Sequence, residues 1–278
     1  MNSEPLLATA TKRLTEAGVA SPRNDAELLL SHVTGVPRAL LVRSANPNEI
    51  QYAAFKALIE RRASREPLQH LTGTASFRYV DLEVGPGVFI PRPETELLAG
   101  WAIGHARTLE SPVVVDLCTG SGAIALSIVD EVPGARVHAV ELDESAYEWA
   151  HRNLAGTGTD LRQGDMADAF RDLDGTVDIV VSNPPYIPLD AWESVEAEVR
   201  DHDPSLALWS GDDGLDAMRI LEATAYRLLK PGGVVGAEHA DVQGESAPGV
   251  FTSTSRWSAV RDNLDYSQRP RYVTATRS

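Results

Sequence analysis

Residues 113–126 read VVVDLCTGSGAIAL. An apolar run carrying one carboxylate, Asp116, passes into a turn of small residues from Cys118 to Gly122 and then into an apolar stretch at helical spacing. The run predicts a strand buried on both faces over 113–117 and a helix over 123–130. Gly120 and Gly122 let the backbone turn tightly and approach a ligand with no Cβ in the way. The helix that follows offers free N–H groups and a positive dipole end. Working outward, the spacing predicts strands over 137–141, 160–163 and 177–182, with a helix over 145–154. A helix over 214–229 follows, then a strand over 233–237 after the turn Lys230-Pro231-Gly232-Gly233, and 272–276 closes the sheet at an edge. Repeated β–α units of this length predict a doubly wound, Rossmann-like α/β sheet with ligands beyond its C-terminal strand ends.

Upstream the pattern differs. Helical spacing over 6–17 stops at Gly18, and Ser21-Pro22 reads as an N-cap followed by a first-turn proline, opening a helix to 33 that ends near Gly35. A brief apolar turn over 39–42 precedes a helix over 48–65 with Ile50, Ala54, Leu58 and Ile59 on one face. Phe77, Tyr79, Leu82 and Val84 mark a hairpin within 70–90 that Gly85-Pro86-Gly87 breaks, and helical spacing returns over 92–109. The expected organisation is a helical bundle over 1–68, a β-hairpin linker over 69–91 and the α/β domain over 92–278.

With 278 residues, 43% of them apolar and 23% charged, the composition is that of a globular protein rather than a disordered one. No run approaches the roughly 18 apolar residues of a membrane span. The opening MNSEPLLATATKRLTEAG lacks the basic-then-apolar order of a secretory signal. Cys118 is the one cysteine and the seven histidines show no metal-ligand spacing, so neither a disulfide nor a metal is expected, and the expected address is the cytoplasm. Residues 1–80 carry 10 Lys and Arg against 7 Asp and Glu, while 81–278 carry 15 against 33. So acidic a body argues against a general duplex-DNA binder.

The chemistry lies in two motifs. Gly120-x-Gly122-x-x-Ala125, with Glu141 21 residues beyond Gly120, suits a nicotinamide dinucleotide or S-adenosylmethionine equally. Glu141 at a strand end can accept both hydrogen bonds of a ribose diol, and Asp165-Met166 is placed to border an adenine. The second motif separates the two donors: the strand at 177–182 runs directly into Asn183-Pro184-Pro185-Tyr186. A planar nitrogen is a poor nucleophile because its lone pair is delocalised, so a methylating site must hold its NH₂ in line with the departing sulfur. The Asn183 side-chain oxygen and the Pro184 carbonyl can each accept one N–H, stabilising the charge that develops on nitrogen. The prolines stiffen the loop, and Tyr186 can pack on a flat amide or base. A nicotinamide enzyme has no use for this tetrapeptide, which points to S-adenosylmethionine.

Asn-Pro-Pro-Tyr is shared by adenine-N6 methyltransferases and protein glutamine methyltransferases. The segment Phe77-x-x-x-x-Leu82-x-Val84-x-Pro86-Gly87-Val88-Phe89-Ile90-Pro91-Arg92-Pro93-Glu94-Thr95-Glu96 resembles the signature of the latter, and nearly the whole chain is similar to the HemK/PrmC-type enzymes. The resemblance implies methyl transfer to the glutamine of the Gly-Gly-Gln loop of class-1 peptide chain release factors. It implies donor binding by Asp116, Cys118, Thr119, Gly120, Ser121, Gly122, Glu141, Asp165, Met166 and Asn183. It implies a catalytic role for Asn183, Pro184 and Tyr186, a glutamine pocket of Asn183, Pro184, Pro185 and Tyr186 lined by Phe89 and Arg92, and substrate docking by residues 1–68. Arg92 has a second reading, as an ion-pair partner of Glu94 or Glu96.

Some positions depart from the pattern. Cys118 stands where the family has a first loop glycine and fits with weakened donor binding if its φ stays negative, Glu141 replaces the commoner aspartate, Ala240 replaces a frequent glycine, and 262–271 matches only loosely. A ribosomal-protein glutamine or a nucleic-acid adenine is the alternative acceptor, the acidic body arguing against the latter. A silent fold that binds donor without turnover is the third reading. The expected partner is a release factor, with no direct nucleic acid or membrane contact, and the expected state is a monomer.

Overall fold

The computed structural model describes residues 3–43, 46–195 and 197–278, which divide into a helical unit and a sheet unit. The helical unit contains α1 (Glu4–Glu16), α2 (Pro22–Thr34), a 3₁₀ turn (Arg38–Arg43), α3 (Glu49–Ala63) and α4 (Leu68–Thr72). Leu7, Leu14, Leu29, Leu30, Phe55 and Ile59 form its core. Asn48 caps α3 in a reciprocal box: its Oδ1 accepts from the Gln51 N–H at 2.9 Å, and Gln51 Oε1 accepts from the Asn48 N–H at 3.0 Å. Two expectations need correction. Ser21 makes no side-chain cap, so α2 opens on Pro22 alone. The buried face of α3 is Phe55, Ile59 and Arg62, while Ile50 is 81% exposed and Ala54 is exposed, because the larger phenylalanine side chain takes the core position.

The sheet unit begins with a hairpin of β1 (Thr74–Phe77) and β2 (Val80–Glu83), then α5 (Thr95–Ala106), β3 (Val113–Leu117), α6 (Ala123–Glu131), β4 (Arg136–Glu141), α7 (Glu144–Asn153), β5 (Asp160–Gln163) and β6 (Val177–Ser182). After β6 the chain contributes α8 (Ala197–His202) to the helical unit and then returns. It continues through α9 (Asp216–Leu228), β7 (Leu229–Glu238), α10 (Ser246–Thr252), β8 (Trp257–Leu264) and β9 (Pro270–Arg277).

Seven of the described strands form one sheet in the order β5-β4-β3-β6-β7-β9-β8, parallel from β5 to β7 and antiparallel beyond. Alternation along β3 sends Val114 into one apolar layer, with Leu98, Ile103, Ile124 and Ile128, and Val113, Val115 and Leu117 into the other, with Leu221, Leu228 and Phe251. This is the Rossmann-like doubly wound sheet expected from 113–126. The sheet edge differs: β9 lies inside, paired with β7 on one side and with β8 on the other, so the edge is β8. The Lys230–Gly233 turn is itself absorbed into β7, with a register shift against β6 between Val177 and Ile179.

Candidate active site

β3 is flanked by β4 on one side and β6 on the other, so the strand order reverses between β3 and β6, the switch point beyond whose C-terminal strand ends open α/β sheets bind their ligands. Leu117 pairs with Ser182 across β3 and β6, and Ser182 Oγ donates to the Leu117 carbonyl at 2.6 Å. The glycine loop and the Asn-Pro-Pro-Tyr loop therefore leave the sheet from neighbouring strand ends.

The glycine loop is held from below. Asp116 is fully buried; its Oδ2 accepts from Thr119 Oγ1 at 2.6 Å and from the Ala125 N–H at 3.2 Å. Its Oδ1 is buried with no partner among the described residues, and burial pushes its carboxyl up to about 7. The Thr119 N–H donates to the Val140 carbonyl at 3.0 Å, Ser121 is buried, and Gly122, at φ +85°, lies where an added Cβ would sit 3.1 Å from Leu154. A Cβ at Gly120 would meet nothing within 4 Å, so that face of the loop stands open to a ligand.

Cys118 departs from expectation. Its φ is +59°, left-handed rather than negative, a conformation costing a non-glycine residue about 1–2 kcal/mol. Its Sγ rests 3.6 Å from Met166 Sδ, and burial pushes its thiol well above the usual range, which disfavours the nucleophilic thiolate.

Glu141 ends β4 with its carboxylate already engaged. Oε1 accepts from the Leu142 and Asp143 N–H groups, both at 2.9 Å, and Oε2 accepts from Gly120 N–H at 2.8 Å. It fixes the loop directly and, with about four lone-pair sites, retains acceptor capacity for one more donor. Met166 is buried, while Asp165 is exposed and accepts from the Ala167 N–H at 2.9 Å. Asp116, Cys118, Thr119, Gly120, Ser121, Gly122, Glu141 and Met166 are thus linked around one loop, with Asp165 at its rim. The unpartnered Asp116 Oδ1 and the open face at Gly120 fit a donor such as S-adenosylmethionine, which carries both hydroxyl and ammonium hydrogen-bond donors.

Asn183 directs its Nδ2 to Thr95 Oγ1 at 3.2 Å. Thr95, the first residue of α5, donates its hydroxyl to Glu238 Oε2 at 2.7 Å, and Tyr186 donates its own to Glu238 Oε1 at 3.2 Å. Glu238 ends β7, one residue beyond Ala237, which pairs with Ser182 of β6. It is 1% exposed, and burial pushes its carboxyl up to about 7. Burial likewise pushes the Tyr186 phenol up, which keeps it neutral. Gln243 Nε2 donates to the Tyr186 carbonyl at 3.0 Å, and the Ile187 and Ser210 N–H groups tie residue 187 to residues 208 and 210. Pro184 is buried and Pro185 half-buried between these anchors.

Sequence reasoning had not placed Thr95, Glu238 or Gln243 in the site. The signal for Glu238 is a carboxylate at the end of an otherwise apolar strand, GVVGAE, where an isolated charge is costly. Arg92 pairs with neither Glu94 nor Glu96. Its Nη2 reaches the buried Asp203 Oδ2 at 2.6 Å, and its guanidinium lies 4.9 Å from the centre of the Phe89 ring. Phe89 and Arg92 are therefore brought to each other.

The family described as PrmC N-terminal domain matches residues 5–73, and the one described as Methyltransferase small domain matches residues 101–196. A Streptomyces coelicolor protein named release factor glutamine methyltransferase is 56% identical over 98% of this chain and 97% of its own. One of the same name from Mycolicibacterium smegmatis is 47% identical over 98% and 96%. A Streptomyces pristinaespiralis protein named 4-amino-L-phenylalanine/4-methylamino-L-phenylalanine methyltransferase is 44% identical over 91% and 88%.

Proposed function

The chain belongs to the release factor glutamine methyltransferase family, and from that premise we propose that it methylates the side-chain amide nitrogen of the glutamine in the Gly-Gly-Gln loop of a class-1 peptide chain release factor. The observation that carries the reading is the orientation of Asn183, whose Nδ2 is committed to Thr95 and whose Oδ1 is left for an incoming N–H. S-adenosylmethionine, when bound, supplies a methyl group activated by attachment to a sulfonium.

In this reading Asp116, the 118–122 loop, Glu141, Asp165, Met166 and Asn183 hold the donor. Asn183 Oδ1 and the Pro184 carbonyl accept the two amide protons of the glutamine and turn the nitrogen toward the donor side of the crevice. The partial positive charge growing on that nitrogen is stabilised by these same fixed dipoles. Tyr186, tied through its hydroxyl to Glu238 and through its carbonyl to Gln243, offers a fixed ring as a wall for the planar amide. Phe89 and Arg92, held by Asp203, line the pocket mouth. No strong base is needed, because the alkylated amide nitrogen sheds its proton readily. Residues 1–68 dock the protein substrate. The enzyme acts as a monomer in the cytoplasm with neither metal nor nucleic-acid contact, consistent with its acidic body; among the described residues no helix is long and apolar enough to cross a membrane.

The test uses labelled S-adenosylmethionine with a purified release factor, with the same factor carrying alanine for the Gly-Gly-Gln glutamine, and with free 4-amino-L-phenylalanine. Label in the first mixture alone is expected. Label on the amino acid but not on the factor would move the acceptor from an amide to an arylamine, and label in the alanine factor would place the methyl elsewhere.

A further inference from the structure

We propose that Thr95 and Glu238 form a proton-ordering relay that sets which end of the Asn183 side chain faces the substrate, and that they thereby select an acceptor that donates hydrogen bonds. An asparagine amide has a donor end and an acceptor end of nearly the same shape, so packing alone orients it weakly. At this site the choice is made by counting protons. Ionised, as it is above about pH 7, Glu238 presents one carboxylate oxygen to each of two hydroxyls, at 2.7 Å to Thr95 Oγ1 and 3.2 Å to Tyr186 Oη. A threonine hydroxyl has a single proton. Once that proton is given to Glu238 Oε2, Thr95 Oγ1 can only accept from its other neighbour, so Asn183 must turn its Nδ2 inward, at 3.2 Å. Its Oδ1 is then left on the substrate side.

Were Asn183 reversed, two acceptors would face each other at Thr95, a buried mismatch costing about as much as a lost hydrogen bond. The substrate would also meet an NH₂ in place of an oxygen and would have to be an acceptor itself. The relay rests on the amide-clamp reading of Asn183 given above. Thr95 and Glu238 act through Asn183 and are positioning residues. Both are buried, at 4% and 1% exposure, and each belongs to an end of regular structure, α5 and β7, so the ordering is built into the scaffold.

The test is a mutant cycle on the full chain with a release factor as acceptor. Thr95→Val keeps the shape and removes the hydroxyl; kcat should fall about 10-fold, with donor affinity close to the parent and Tm lowered by the hydrogen bonds that Glu238 and Asn183 lose. Thr95→Ser keeps the relay and should stay within about threefold of the parent kcat. Thr95→Ala serves as a second hydroxyl-free variant should the valine fail to fold. In an Asn183→Ala background the Thr95→Val change should alter kcat by less than about twofold, because the group it orients is gone. An unchanged kcat in Thr95→Val, or the same 10-fold loss with and without Asn183, would overturn the relay while leaving the clamp intact. Near-parental turnover in Asn183→Ala alone would overturn the clamp, and the relay with it.

Discussion

Two single residues carry costs that the site tolerates, and they differ in how much of this the sequence reveals. Cys118 adopts φ +59° in a loop whose neighbours Gly120 and Gly122 are also left-handed. The glycines announce such backbone, whereas a cysteine gives no sign of it, so the expectation of negative φ fails at the one position of this loop where residue type misleads. Glu238 is the second case. An acidic group whose pKa is raised on folding stays protonated in the folded chain at a pH where the unfolded chain has released its proton. The stability associated with it is complete below the unfolded value of 4.5 and is lost as pH rises through about 7. At about 1.4 kcal/mol per pH unit, the loss amounts to a few kcal/mol across that window. Glu238→Gln removes the titrating proton and keeps an acceptor oxygen. Its Tm relative to the parent should therefore climb from pH 5 to pH 8. A Tm difference that stays flat over that range would show that burial does not hold this carboxyl neutral.

At the scale of elements, legibility follows burial. The strands at 113–117 and 177–182 are buried at every position and the sequence reveals them in full. β8 is hidden because Trp257 is its one buried residue, so its apolar signal is too thin to separate from a loop, and the sheet edge was accordingly placed at β9. The core of the candidate site was legible as two loops, since each follows a buried strand. The bracing behind them was not, because Thr95, Asn183 and Glu238 meet across separations of 88 and 143 residues and no local spacing encodes that. The brace on the Tyr186 end makes a prediction about backbone. Gly214 has φ +74°, and a Cβ there would lie 2.4 Å from the Tyr186 carbonyl oxygen and 2.7 Å from Gln243 Nε2. Gly214→Ala should cost about 2–4 kcal/mol and lower kcat, with donor affinity at the 118–122 loop nearly unchanged. Gly104, exposed in α5 with open space at its Cβ position, is the control: Gly104→Ala should raise stability by about 0.5–1 kcal/mol. Thermal melts and donor titration read both, and a Gly214→Ala protein as stable and active as its parent would show that the loop has slack this packing denies.

For the whole molecule, the path of the chain links the segment after β6 to the helical unit. After Asn-Pro-Pro-Tyr it supplies α8 to the helical unit, then re-enters the sheet unit at Asp203, the partner of Arg92. The segment that leaves the Asn-Pro-Pro-Tyr loop is thus part of the fold of the domain proposed to dock the release factor. Within the helical unit α8 is held by charge. Arg62, 6% exposed, reaches Asp25 Oδ2 at 2.8 Å and Glu198 Oε1 at 2.7 Å, and Arg65 reaches Glu198 Oε2 at 3.1 Å. Replacing a buried ion pair by apolar groups is often neutral, but removing one member strands the other without compensation. Arg62→Ala leaves Asp25, 5% exposed, as a buried carboxylate without its cation, so the helical unit should lose about 3–5 kcal/mol. Hydrogen exchange should show that loss first in α1, α2 and α3, with β3 and β6 keeping their protection. If β3 and β6 lost protection to the same degree, the two units would unfold as one, and Arg62 would be holding the whole chain rather than the bundle that α8 completes.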